Sequence, residues 1–490
     1  MSSSYLGCDL GAESGRLMLG VLEGGRIQLQ EIHRFPNTPI RVGESLCWNM
    51  PELFQQLKIG LRKAGKQHSK IQSISCDAWG VDYFLIDDQG EVISPTYHYR
   101  DERSSRGVEV IHRKVPREDL FSMTGIQFMP FNSVYQLGAE SSVRLSNAYG
   151  FLPIADGFNY LLCGRQVVEQ SSASTTALYD PRTHQWADAL LKKLEFDPSI
   201  FPRIVPSGTA LAQLKPEICR ECDIDPITVT AACSHDTAAA VAAVPSAGDN
   251  WAYISSGTWS LMGVEVAAPV INDRCRELNY TNEVGVGQTI RLLKNIIGLW
   301  MVQECRREWE NEGRAYDYSE LTTLAGNAPP FVSLVDPTDP RFIAPGDVPG
   351  KIRAFCRELG QPEPEGPGPM IRCILESLAL LYRKNLLQIQ ELIQSSIDRL
   401  HIVGGGSRNH LLNQFTADAL GISVIAGPAE GTALGNILIQ AVAAGKLGSL
   451  AEARKVVGAS IEVVVFNPQN PKAWTEAYGR FLSFSKDKSS

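Results

Sequence analysis

At 490 residues the chain is longer than one hydrophobic core serves, so two domains are expected. Its composition, 44% hydrophobic and 20% charged, is that of a folded globular protein, with no low-complexity tract to argue for disorder. A net charge of -8 without any basic block disfavours nucleic acid as a partner.

The opening "MSSSYLGCDLG" lacks the basic and apolar segments of a secretory signal, and no apolar run approaches the ~18 residues that cross a bilayer. A cytoplasmic protein without a membrane partner is therefore expected. Its 11 cysteines are odd in number and scattered, which reads as mostly reduced thiols. The one C-x-x-C, Cys219 to Cys222, has no further ligands to complete a zinc site. Cys356 and Cys373 flank the Pro/Gly-rich "GQPEPEGPGP", and their pairing stays open at this stage.

Along the chain, "YLGCDLGAESGRLMLGVLE" reads as an apolar strand, a turn of small and polar residues and a second strand, the pattern of a β-hairpin. "IQSISC" and "VDYFLIDDQGEVIS" read as strands, with "DAWG" at the end of the first and a turn at Asp88 to Gly90. A helix is expected over Thr237 to Val244, followed by the linker signal "VPSAGDN". From Trp251, "WAYISSGTWSLMGVEV" repeats the opening hairpin, which implies two halves of related design: residues 1–246 and residues 247–490. In the second half, Asn295 to Asn311 and Met370 to Ile393 carry helical periodicity. "RLHIVGGGSRNHLLNQFTADALGISVIAG" reads strand, glycine turn, helix, strand, and "GPAEGTALGNILIQAVAAG" a loop and a buried helix. The fold class is α/β.

Both common nucleotide fingerprints are absent: no Gly-Lys dipeptide is followed by Ser or Thr in the P-loop frame, and "EVGVGQTI" has Ile290 where a dinucleotide fingerprint needs its third glycine. Three other small-residue turns remain: Gly11 to Gly15, Ser255 to Thr258, and Gly404 to Gly406. Taken singly each is explained by turn geometry, but as a set they read as phosphate-cradling backbone. Asp9 interrupts an apolar strand just before the first turn. It reads either as a turn former or as a carboxylate that holds Mg²⁺ against nucleotide phosphates. Arg16 beyond that turn reads as a phosphate partner or a surface cation. In "CSHDTAAAV", Ser234 or Asp236 could cap the helix. Asp236 could equally be a base kept ionised by the helix dipole, which is all the acid-base chemistry that phosphoryl transfer demands.

The ordered set "DLGAESGR", "CDAWGVD", "YRDERS", "SHDTAAA", "SSGTWSLMG", "LKNIIGLW", "LHIVGGGSRN" and "GPAEGTALGN" resembles the FGGY carbohydrate kinases over residues 5 to 470. The resemblance implies two actin-like, ribonuclease-H-like ATPase domains hinged around a central cleft, with sugar mainly on the first and ATP with Mg²⁺ mainly on the second. It implies Asp236 as the base for a ketose 1-hydroxyl, and Gly80, His235, Thr237 and Asn295 as sugar contacts. It further implies the turn Ala12, Glu13, Ser14, Gly15 and Arg16, together with Thr258, Gln303 and Gly405, as nucleotide contacts, and Asp9 as the carboxylate nearest the metal. Trp79 and Asp82 are added from their position, because a ketose offers an apolar face to stack and hydroxyls that need acceptors. Glu13 departs from the family's small residue and is expected to point to solvent or to pair with a cation. Small-molecule partners alone are expected, in a monomer or homodimer. The same architecture also serves regulators that bind ATP without phosphorylating sugar, and Asp236 is the feature that separates the two.

Overall fold

A computed structural model describes residues 2–68 and 70–485. The chain forms two compact units, Met1–Pro245 with Glu265–Leu292 and Gly431–Ile461, and Ser246–Val264 with Leu293–Glu430 and Glu462–Ser490. The segment 244–250, read from sequence as a linker, is irregular, and two later stretches of chain return to the first unit.

In the first unit, β1 (Ser3–Leu10) and β2 (Ser14–Glu23) form the expected hairpin, and β3 (Arg26–Pro36) extends it. On the other side of β1 lies β4 (Ile71–Ala78), parallel to it, then β6 (Thr228–Ala231), parallel to β4, and the antiparallel edge strand β5 (Thr209–Gln213). Helix α1 (Met50–Gln67) buries Leu53, Leu57, Leu61 and Ala64, a stripe at the three- and four-residue spacing of an α-helix. These join Leu6, Cys8, Leu17 and Ile74 of the sheet in one core.

The second unit repeats the design, as the matched hairpin sequences predict. Strands β7 (Trp251–Ser256) and β8 (Trp259–Val266) form an antiparallel hairpin, and β7 runs parallel to β10 (Arg399–Val403), which runs parallel to β11 (Ser423–Ala426). Between β10 and β11 lies the expected helix, His410–Leu420. The helix expected from Met370 is present as Pro367–Ile393, but the one expected from Asn295 begins only at α4 (Trp300–Asn311). Asn295 lies in a strand, β9 (Ile290–Ile297). The reason is Gly298: a Cβ there would lie 2.6 Å from the Ser260 hydroxyl and 2.7 Å from the Trp259 backbone, so the chain passes tight against β8 before it can turn into a helix.

Two further helices matter to the site. The alanine-rich α3 (Asp236–Ala242) follows β6, and α7 (Gly431–Ala443), late in the sequence, packs against α3 and β1 inside the first unit. Gly435 is the contact: its Cβ would meet the Ala239 carbonyl oxygen at 1.7 Å, an overlap that only movement of backbone could relieve. Gly435→Ala is expected to destabilise the protein by about 1–3 kcal/mol and to lower turnover by displacing α3. Thermal melting together with steady-state kinetics checks this, and an unshifted melt would remove the proposed close approach.

Candidate active site

The ends of β1 and β4 place two aspartates in register, Asp9 beside Asp77, and the β1–β2 hairpin places Arg16 opposite Asp9 on its other side. Arg16 donates to Asp9 at 2.5 Å, so the cation expected to meet phosphate is already committed to this carboxylate. Asp77 is fully buried. Its Oδ2 accepts from the Asn436 amide at 2.5 Å, while Oδ1 has no hydrogen-bond partner. Burial, then the charge of Asp9, push its pKa well above the usual carboxylate range.

Asp236 is the first residue of α3, with its side chain 32% exposed. Burial, and after it the nearby Asp9 carboxylate, raise it to about 7, against the pull of hydrogen bonds from Thr237. The dipole of α3 had been expected to keep Asp236 firmly ionised, but in this setting desolvation and a like charge outweigh it. Both Thr237 donors, the backbone N–H at 2.5 Å and the hydroxyl at 3.1 Å, address Oδ1. Ser234 does not cap the helix: its hydroxyl donates to Asp156 at 2.9 Å, and the N-cap position is His235, whose side chain makes no capping bond.

The segment before Asp236 is held from behind by buried acids. Glu169 accepts the Ser234 N–H at 2.9 Å and the Ser207 hydroxyl at 2.6 Å, and the Ser171 hydroxyl accepts the His235 N–H at 3.0 Å. Ala78, at the end of β4, donates to the Ser234 carbonyl at 2.9 Å, which ties the "DAWG" strand end to His235. On its far side the His235 ring meets Arg291, whose guanidinium donates to Nδ1 at 3.1 Å and to Glu283 at 3.0 Å. Arg291 is wholly buried, and burial followed by this cation hold the imidazole pKa far below its ordinary value.

Gly80 packs on Thr175, where a Cβ would come within 3.1 Å of the hydroxyl, and the next residue, Val81, sits at φ 70°. A β-branched residue in the left-handed region stores strain, as backbone beside functional sites often does. Asp82 was expected to accept sugar hydroxyls, but its oxygens are buried and already taken. Trp48 donates at 2.6 Å, Trp79 at 2.9 Å, the Tyr99 N–H at 3.2 Å and Gln136 at 2.7 Å. Asp82 is instead the anchor of the indole pair Trp48 and Trp79, whose rings lie 4.3 Å apart. This fixes Trp79 in place.

In the first turn, Asn37 takes the carbonyls of Gly11 and Glu13, each at 2.9 Å, and none of these bonds uses the N–H groups of Ala12 and Glu13. Ser14 opens β2, and Gly15 is required there because a Cβ would lie 2.3 Å from the Phe35 ring. The Glu13 side chain is exposed, in line with its expected direction.

The other four residues, Thr258, Asn295, Gln303 and Gly405, belong to the second unit. The Thr258 carbonyl accepts the N–H groups of Gly298 and Trp300, both at 3.1 Å, so the β7–β8 turn is fastened to the start of α4, the helix of Gln303. Gln303 Oε1 is buried without a hydrogen-bond partner. Gly404 and Gly406 are dictated by packing, since Cβ atoms there would strike Ser256 at 2.9 and 1.9 Å. Around a Cβ at Gly405 no atom of the described residues lies within 4 Å.

Residues 4–243 match the N-terminal domain of the FGGY family of carbohydrate kinases, and residues 252–444 match its C-terminal domain. The chain belongs to this family. Among relatives of the family, a rhamnulokinase of Bacteroides thetaiotaomicron is 42% identical over 98% of this chain and 99% of its own. A rhamnulokinase of Enterococcus faecalis is 41% identical over 99% and 98%. The fold matches solved structures of a ligand-bound xylulose kinase from Lactobacillus acidophilus (TM-score 0.82, 16% identity, 98% and 97% covered) and of a Plasmodium falciparum glycerol kinase with ADP (TM-score 0.79, 16% identity, 99% and 98% covered).

For an FGGY kinase the residues not foreseen are Asp77, Glu283 and Arg291. Asp77 was visible in principle, because "CDA" puts a carboxylate inside an apolar strand as "CDL" does at Asp9, and the same burial penalty applies. Glu283 and Arg291 carry no motif, since a charge on either side of a glycine turn reads as surface until the fold buries it. Among the described residues no three His, Cys, Asp or Glu side chains converge tightly enough to hold a metal alone. Asp9 and Asp77, in register at the strand ends, are the kind of donor pair that a hydrated Mg²⁺ would take together with substrate phosphates.

Asp236→Asn removes a carboxylate from a repelling group and is expected to stabilise the protein by about 1 kcal/mol, discounted for its partial exposure. The sign follows from linkage. With a folded pKa of about 7 against the lower ordinary value, the native state binds the extra proton, so wild-type stability falls as pH rises toward 7. The melting advantage of the variant should therefore be larger at pH 8 than at pH 5, and an advantage that shrinks with pH would contradict the raised pKa.

Proposed function

We propose that this kinase transfers the γ-phosphoryl group of ATP to the 1-hydroxyl of L-rhamnulose, giving L-rhamnulose 1-phosphate for L-rhamnose breakdown. The observation that carries the substrate is the agreement of seven relatives, each named rhamnulokinase and 36–42% identical over 94–99% of this chain. The motifs around Asp236 and the second phosphate turn are also similar to those of L-fuculokinases, which makes L-fuculose the rival substrate.

Asp236 is the base. Thr237 donates twice to Oδ1, which leaves Oδ2 to orient the sugar hydroxyl and to take its proton late in the attack. A carboxylate near pH 7 in its affinity for protons is well matched to that task. Gly80, His235, Thr237, Asn295 and the fixed indole of Trp79 contact the sugar. The turn from Ala12 to Arg16 and residues Thr258, Gln303 and Gly405 contact ATP, the buried Gln303 Oε1 with an acceptor to offer. Asp9 would hold Mg²⁺, which supplies neutralising charge to the phosphates. On this reading residues 1–246 are chiefly the sugar and base domain and residues 247–490 chiefly the ATP domain, in a cytoplasmic monomer or homodimer. An ATP-binding regulator of the same fold would not need Asp236.

An ADP-release assay over L-rhamnulose, L-fuculose, L-ribulose and D-xylulose is expected to give the highest kcat/KM with L-rhamnulose. Asp236→Asn should lose at least ~100-fold in turnover while binding ATP as before. A different best ketose sinks the substrate, and wild-type turnover in Asp236→Asn sinks the base. Because none of the described residues comes within 4 Å of a Cβ at Gly405, Gly405→Leu is expected to melt like wild type yet lose ATP affinity about tenfold or more, as read by calorimetry. Unchanged affinity would remove Gly405 from the nucleotide site.

A further inference from the structure

The His235 ring is touched by charged groups on both edges, and their chemistry dictates where its proton sits. At Nδ1 the Arg291 guanidinium approaches to 3.1 Å. A guanidinium has donors only and does not lose its charge in a protein, so Nδ1 must offer a lone pair. Glu283 also lies 3.4 Å from Nδ1, but a proton there would be driven against the closer Arg291 N–H, and the same Glu283 oxygen already accepts from Arg291 at 3.0 Å. The guanidinium is itself fixed, since its Nε donates to the Val284 carbonyl at 3.3 Å and the Val284 N–H donates to Ser174 at 2.9 Å. With Nδ1 an acceptor in a neutral ring, the proton is on Nε2. Nε2 lies 3.4 Å from Asp236 Oδ1.

We infer that Arg291 and Glu283 are positioning residues for phosphoryl transfer: they lock His235 as the neutral Nε2–H tautomer, whose N–H faces the Asp236 Oδ1 side that Thr237 holds and leaves Oδ2 as the oxygen that receives the sugar proton. The inference rests on Asp236 as the base. It gives the buried Arg291 and Glu283 pair a task beyond filling the core, and it accounts for the His235 Nε2 that stands 3.4 Å from the same oxygen to which Thr237 donates twice. The depressed basicity of His235 is consistent with a ring that never becomes imidazolium beside Arg291.

The test begins with the intact wild-type enzyme labelled with ¹⁵N at its 8 histidines, with His235 assigned by the signal missing in His235→Gln. Long-range ¹H–¹⁵N spectra should show a protonated Nε2 and a bare Nδ1 at neutral pH; an Nδ1–H tautomer or an imidazolium overturns the inference. Kinetics supply a second reading, because a glutamine amide N–H lies near the Nε2 position and an asparagine amide near Nδ1. His235→Gln is expected to exceed His235→Asn in kcat by about tenfold, and equal or reversed values count against it.

Arg291→Lys, which still donates to Nδ1, should keep the tautomer and most of the activity. Arg291→Met should mix the tautomers and lower kcat by about 10- to 100-fold with KM for ATP unchanged. A folded Arg291→Met enzyme with wild-type kcat and a pure Nε2–H ring would defeat the proposal; if that variant does not fold, the wild-type spectrum and the His235 pair decide. Asp236→Asn keeps the two claims apart, since retained turnover there removes the base whereas the ring spectrum bears only on the tautomer.

Discussion

Three carboxylates that repel one another, Asp9, Asp77 and Asp236, are brought together where strands β1 and β4 end and helix α3 begins. Gathering them costs free energy, because each loses water and gains a like-charged neighbour. Much of the first unit can be understood as compensation. Arg16 neutralises Asp9, Asn436 holds Asp77, and Thr237 holds Asp236, each from a different element. The arrangement leaves unspent acceptor capacity on Asp77 Oδ1 and on Asp236 Oδ2. Under the proposed function that excess is what a cation and the proton of the sugar would meet.

The compensation in turn dictates the path of the chain. Asn436 reaches Asp77 only because α7 lies close over the sheet, and it does so at glycines. A Cβ on Gly7 would stand 3.2 Å from Ile437, one on Gly20 would stand 2.5 Å from it, and Gly435 lets α7 touch the backbone of α3. From the same helix Gln440 donates to the Leu6 carbonyl at 2.8 Å and accepts from Ser73 at 2.6 Å, so β1 and β4 are clamped beside the acids they carry. A helix late in the sequence thus completes a unit begun at the N-terminus.

What the sequence made legible follows from the range of each signal. Hairpins, the strand-glycine-helix run at Arg399 and the buried helix at Gly431 are written in local periodicity and were readable. The end of the strand Ile290–Ile297, from Asn295 on, was read as the start of a helix because three residues are too few to show alternation, and only the fit of Gly298 against β8 separates them from α4. Asp9 was found because a carboxylate in an apolar strand is conspicuous, and Asp77 could have been found in the same way. Asp82 was misread, since its position beside Trp79 was visible but the four donors that fill its oxygens come from Trp48, Trp79, Tyr99 and Gln136, a set that folding alone assembles. Arg291 and Glu283 were invisible for the same reason.

The stretch "SHDT" shows how two readings that compete in sequence become complementary in space. As a helix cap and as a base, Asp236 seemed to need the same carboxylate. The structure divides the work between its two oxygens: Oδ1 takes the N–H and the hydroxyl of Thr237, cap-like bonds made from the first helical position rather than from the N-cap, and Oδ2 remains for the hydroxyl of the sugar under the proposed mechanism. Capping then serves the chemistry, because an oxygen pinned by donors fixes the plane of the carboxylate and the direction in which the other lone pairs point. The order of residues matters for the same reason. Threonine after the aspartate supplies donors from inside the helix, and histidine before it brings its Nε2 to 3.4 Å of the same oxygen, so Oδ1 lies between groups of its own chain neighbours.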